Sequence, residues 1–168
     1  NMAAIVGDLA QTFFLDYKAV GSARKIFLSE IDLFFRTKPT AASTSSGLPK
    51  PGVTLYITET KLSNGMYVPD LDSPVTYGRS RVVFDSINTS FNAAAATTFR
   101  FTRTPLDTQK TYALVIKFDG NDTGFTLWRN KGDEILDNAP KPNVTQGALD
   151  GYFFVLTSSS VATPQMDV

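Results

Sequence analysis

The chain has 168 residues and contains no cysteine, no histidine and only one tryptophan. The first two absences exclude more chemistry than any motif present supplies. Without a thiol or an imidazole there is no Ser-His-Asp triad, no Cys-His nucleophile, no cysteine or histidine zinc site and no disulfide framework. A chain free of thiols fits a reducing cytosol, and fits equally an extracellular or virion particle that avoids thiol chemistry altogether. Neither sign of charge is in excess: 16 basic and 16 acidic residues cancel. That balance removes the domain-wide electrostatic motive for binding nucleic acid or an anionic membrane surface. No run approaches the roughly 20 apolar residues of a membrane-spanning helix. The N-terminal NMAAIVGDLAQ lacks the basic region that opens a secretory signal. The expectations are therefore no nucleic-acid partner and no membrane insertion.

What is present is the composition of one packed domain, with 42% hydrophobic residues and 13 phenylalanines that need burial. A single domain is expected over 1–168, with its core in 8–157. Residues 1–7 and 158–168 are read as terminal extensions, in keeping with a segment of a longer polypeptide.

The apolar pattern has period two nearly throughout, in short runs parted by Gly, Pro, Asn, Asp and Ser. LAQTFFLDY aligns Leu9, Phe13, Leu15 and Tyr17, with Gln11 as a polar interruption. KIFLSEIDLFFRTK aligns Phe27, Ile31, Leu33 and Phe35 against Glu30, Asp32 and Arg36. GVTLYITET sets Val53, Leu55 and Ile57 against Thr54, Tyr56 and Thr58, and RSRVVFDSI sets Val82 and Phe84 against Arg81, Val83 and Asp85. TTFRFTRT points Phe99 and Phe101 inward. KTYALVIKF is apolar on both sides, the mark of a central strand. With FTLWRN and GYFFVLTSS the count is about eight strands and no helix. The fold class is all-β, a two-sheet antiparallel sandwich of jelly-roll type. Long loops are expected at 39–52, 61–78, 88–98 and 131–151.

Several constellations invite chemistry. DGNDTG (119–124) matches the first half of a calcium loop, but the position that needs a bidentate glutamate is Asn130, so a tight turn is the better reading and no metal is expected. Glu30 with Asp32, and Asp70 with Asp72, are spaced as glycosidase carboxylates could be. Nothing adjacent assigns acid and base roles to either pair, and a solvated strand face explains Glu30 and Asp32 as well. Arg79, Arg81, Arg100 and Arg103 could form a basic patch for phosphate or an acidic glycan, although interleaved acids favour ion pairs. Asn88, Asn121 and Asn143 each open an N-x-[ST] triplet. No catalytic residue, cofactor or enzymatic activity is expected.

Trp128 is the leading candidate. In GFTLWRN it alternates with Phe125 and Leu127, which places the largest apolar side chain on the polar side together with Thr126 and Asn130. An aromatic there can stack on a sugar, anchor a subunit, or be covered by the chain's own long loops with its indole N–H given to a carbonyl. Tyr56 likewise points with threonines. Trp128, Tyr56 and Asn130 are the expected partner- or glycan-binding residues.

The blocks LAQTFFLDY, KIFLSEIDLFFRTK, KPGVTLYITE, GRSRVVFDSIN, TTFRFTRTPLDTQKTYALVIKFDG and FTLWRNKG, in that order, resemble a β-sandwich domain of tail and baseplate structural proteins of contractile-tailed bacteriophages. The likeness spans about residues 9–157. It implies a virion structural domain with a jelly-roll or carbohydrate-binding-like sandwich, assembled with other virion subunits as a homo- or hetero-oligomer. Members of that family run on for another strand after the segment matching GYFFVLTSSS, where this chain has only VATPQMDV. The alternative reading is a glycan-binding module of an adhesin or secreted protein, binding a host-surface glycan outside the cell.

Overall fold

The computed structural model describes residues 8–15, 23–40, 49–119, 124–128, 153–156 and 162–164, the last two stretches as backbone strands. Among them there is no α-helix, and hence none able to cross a membrane. The chain is all-β and antiparallel: one six-stranded sheet lies across a common core from two smaller pairs.

The large sheet has the order β10-β9-β1-β7-β4-β5. Its members are β1 (Asp8–Phe14), β4 (Val53–Ser63), β5 (Met66–Val82), β7 (Thr111–Phe118), β9 (Phe153–Leu156) and β10 (Ala162–Pro164). One pair joins β2 (Lys25–Leu33) to β6 (Thr97–Asp107), and the other joins β3 (Phe35–Thr37) to β8 (Thr126–Leu127). Leu9, Val53, Leu55, Ile57, Tyr112 and Ile116 supply the core from the large sheet, and Phe35, Phe99, Phe101, Leu106 and Phe125 supply it from the other side. β7, apolar on both sides, runs between β1 and β4 as expected of a central strand. Its second face contributes Val115, which with Ala10 forms a smaller cluster under Tyr56, Met66 and Val68.

Three expectations are corrected. Residues 61–78 are not a loop. β4 turns at Asn64 and Gly65, both at positive φ (50° and 78°), and returns as the 17-residue β5. Two successive positive-φ residues make the hairpin turn whose twist suits antiparallel strands, and Asn-Gly is the pair that adopts it with least strain. Slips in register opposite Tyr56/Thr58 and Thr58/Thr60 let β5 carry extra residues, among them Asp70 and Asp72. Met66 and Val68, near the turn, pack on the smaller cluster.

The second correction concerns Phe27, which is 57% exposed, whereas its neighbours Ile26 and Leu28 pack on the core. Ile31, Leu33 and Phe35 do face inward as expected. The cause is a slip between Leu28 and Glu30: Leu28 stands opposite Thr104, but Glu30 already stands opposite Arg100. The surplus residues on β6 include Arg103 at a φ of 44°, so the bulge inverts the phase of alternation at Ser29. The beginning of RSRVVFDSI is strand as expected, but the strand ends at Val82. A short 3-10 turn (Phe84–Ser86) follows, and Val82 and Phe84 both still reach the core.

Candidate interaction site

β8 is two residues long, and close approach positions it. A Cβ on Gly124 would lie 2.7 Å from Pro39 Cα, so glycine lets β8 run against the end of β3. The Thr37 hydroxyl donates to the Gly124 carbonyl at 3.0 Å, and the Trp128 amide donates to the Phe34 carbonyl at 2.9 Å. Phe125 is buried and Leu127 packs on the core, which leaves Thr126 and Trp128 on the opposite side, both half-buried.

Trp128 is turned toward the 88–98 loop. Its indole N–H donates to the Ser90 carbonyl at 2.8 Å, and the Arg36 guanidinium lies over the ring, 5.4 Å from its centre. The Ser90 amide donates to the Phe35 carbonyl at 3.0 Å, so Ser90 is held from both sides. The rest of the loop closes on itself. The Asn88 amide donates to the Thr97 hydroxyl (2.9 Å) and the Asn88 side-chain amide to the Ala96 carbonyl (2.8 Å). The Ala95 amide donates to the Ser90 hydroxyl (3.1 Å). Ala93 takes a positive φ of 54°. At the tip of this frame stands Phe91, 81% exposed, more than any other large apolar side chain among the described residues. Residues 86–99 carry no charge.

Tyr56 belongs to a different sheet and shares no described partner with Trp128. It is half-buried on the outer face of the large sheet, opposite Arg79 on β5 and Val115 on β7. The Arg79 guanidinium lies 5.8 Å and the Lys117 ammonium 5.9 Å from its ring centre, and Arg79 Nε reaches its hydroxyl at 3.5 Å. Beside them Arg81 forks onto Asp119, with Nη1 donating to Oδ1 at 2.8 Å and Nη2 to Oδ2, and Nη1 also donates to the Thr54 hydroxyl at 3.3 Å. That hydrogen bond holds the Asp119 carboxyl below its ordinary range and raises Arg81. Asp119 also accepts from the Gly52 amide at 3.0 Å, so the carboxylate that opens DGNDTG is engaged within the chain.

The other candidates find internal partners too. Glu30 accepts from Arg100 at 2.8 Å, Asp32 accepts from the Thr98 hydroxyl at 2.6 Å, and Asp70 caps its own bulge through Ser73 and the Asp72 amide. Arg103 lies over the exposed Phe27 ring. The Asn88 side-chain nitrogen, the atom a glycan would need, is already donated to Ala96. Asn130, Asn121 and Asn143 lie outside the described residues. Phe91 was not singled out by the sequence pattern; its one signal was a lone aromatic inside a run without charge. On the outer face two residues beyond Tyr56, Thr58 is buried and its hydroxyl has no hydrogen-bond partner among the described residues.

Comparison of the chain with protein-family models, with curated proteins and with solved structures finds no match.

Proposed function

We propose that this chain is a structural module that works by seating against neighbouring protein subunits. The observation that carries the reading is Phe91, an exposed aromatic at the tip of a loop fixed by Trp128. Burying a phenylalanine contributes about 1.5–3 kcal/mol, and a tip already held by its own hydrogen bonds loses little further entropy on docking. The absence of charge from 86 to 99 suits the centre of a protein interface, where charged residues are depleted. Leu62 and Tyr67, cross-strand partners beside the β4–β5 turn, are 66% and 51% exposed and give a second apolar surface. The setting proposed is a bacteriophage virion, in a tail or baseplate. It rests on the sequence resemblance alone.

The test is hydroxyl-radical footprinting of the isolated chain and of the native particle that contains it. Phe91 should be modified readily in the first and protected in the second, and Phe91→Ala should reduce incorporation into the particle. Equal modification of Phe91 in both states would contradict the reading.

A further inference from the structure

We propose that Tyr56, Arg79 and Lys117 form a binding site for the carboxylate or sulfate group of an acidic saccharide on the outer face of the large sheet. This inference is independent of subunit assembly. Its basis is the contrast between these two cations and the six that form ion pairs with carboxylates. Lys25, Lys50, Lys61, Arg81, Arg100 and Lys110 each reach a carboxylate. Arg79 and Lys117 are exposed and have no carboxylate partner among the described residues, yet both lie within 6 Å of one phenol ring. The two acids nearest this face each have another contact. Asp119 is held by Arg81 and the Gly52 amide, and Asp8 accepts from the Phe118 amide at 3.3 Å.

The register holds the three groups in place. Arg79 and Tyr56 are direct cross-strand partners on β5 and β4, and Lys117 on β7 is the partner of Thr54, one same-face step from Tyr56. An oxyanion between the guanidinium and the ammonium would take charge-assisted hydrogen bonds from both, with the Tyr56 hydroxyl as a third donor. The phenol ring, with both cations near the outer limit of cation–π distance, offers an apolar surface for the carbon face of a sugar. An acidic sugar uses all three groups, whereas a bare anion uses only the cations and the hydroxyl. A neutral chain with three convergent groups is poorly suited to a long polyanion such as nucleic acid, whose affinity grows with the number of phosphates neutralised.

The experiment follows backbone amides of the ¹⁵N-labelled full chain by NMR during titration with a sulfated uronic-acid disaccharide, a neutral disaccharide, and inorganic sulfate alone. Saturable shifts confined to residues 54–58, 79–81 and 115–117 are expected with the first and none with the second. Inorganic sulfate should bind roughly ten-fold or more weakly, because the ring contact is missing. The Arg79→Gln/Lys117→Gln double variant should lose roughly ten-fold or more in affinity for the disaccharide. Arg103→Gln, on the β6 bulge, should bind as the parent does, and unshifted amides elsewhere would show that both variants are folded. Absence of shifts at these residues, or unaltered affinity in the double variant, would overturn the site. Equal affinity for inorganic sulfate would reduce it to an adventitious ion only.

Discussion

Trp128 and Tyr56 look alike in sequence: each is an aromatic residue that alternates with apolar neighbours and so falls among polar ones. In the fold they are opposites. Trp128 is committed to its own chain, with its indole N–H on Ser90, Arg36 over its ring and its backbone amide on Phe34. Tyr56 has cations rather than carbonyls for neighbours, and two of those cations lack carboxylate partners among the described residues. An aromatic on the polar side of a strand can thus serve as a clasp or as a platform. What decides between them is whether a second segment closes over it.

If that distinction is right, the two residues should separate most clearly in stability. Trp128→Ala should cost about 3 kcal/mol by equilibrium urea unfolding, from lost packing and an unpaired Ser90 carbonyl. Trp128→Phe, which keeps most of the bulk and loses the N–H, should cost about 1 kcal/mol. Tyr56→Ala, at a half-buried position on the outer face, should cost less than Trp128→Ala, about 1 kcal/mol. Equal losses at the two positions would erase the contrast.

The outer face near Tyr56 also holds a defect. Thr58 is buried with a hydroxyl unpaired among the described residues, and a buried unsatisfied polar group costs about 1–3 kcal/mol. Thr58→Val keeps the shape and removes that group, so it should raise the urea midpoint by an amount equivalent to about 1 kcal/mol. A lower midpoint would mean that the hydroxyl has found a partner.

The smallest effect should be electrostatic. The hydrogen bond from Arg81 lowers the folded-state pKa of Asp119. Its contribution is therefore full above the unfolded carboxylate value, about 3.9, and is lost as pH falls through the lower folded value. Both side chains are more than a third exposed, so screening should hold the contribution below about 1 kcal/mol. Asp119→Asn should therefore lower stability by that small amount near neutrality, with the difference from the parent shrinking below about pH 4, so that the acid side of the stability curve is flatter. An unchanged acid slope would show that the pair adds nothing in solution.

Local pattern carried much of this fold and little of its site. β7 was legible because both of its faces are apolar, which only a strand covered on both sides can sustain. The inward set of β4 followed directly from alternation. β2 was legible only beyond Ser29, because the bulge that inverts its phase lies on β6, a strand far away in sequence. Asn64-Gly65 marks the β4–β5 hairpin, but prolines and acids along 69–74 break the period on which strand recognition depends. The partner of Trp128 was beyond reach, since Ser90 lies 38 residues away and offers only a backbone carbonyl, which no side-chain pattern marks. Phe91 and the Tyr56 cations likewise become visible only when exposure and cross-strand register are known.

Trp128 acts as a clasp that holds the Phe91 loop. Because the chain has one tryptophan, one indole N–H resonance reports on it directly, and its exchange with solvent in the isolated, ¹⁵N-labelled chain is the decisive measurement. A bond to the Ser90 carbonyl gives slow exchange, together with loss of amide protection confined to residues 88–98 in Trp128→Phe. Exchange as fast as that of a free indole, with the 88–98 amides equally protected in parent and variant, would contradict it.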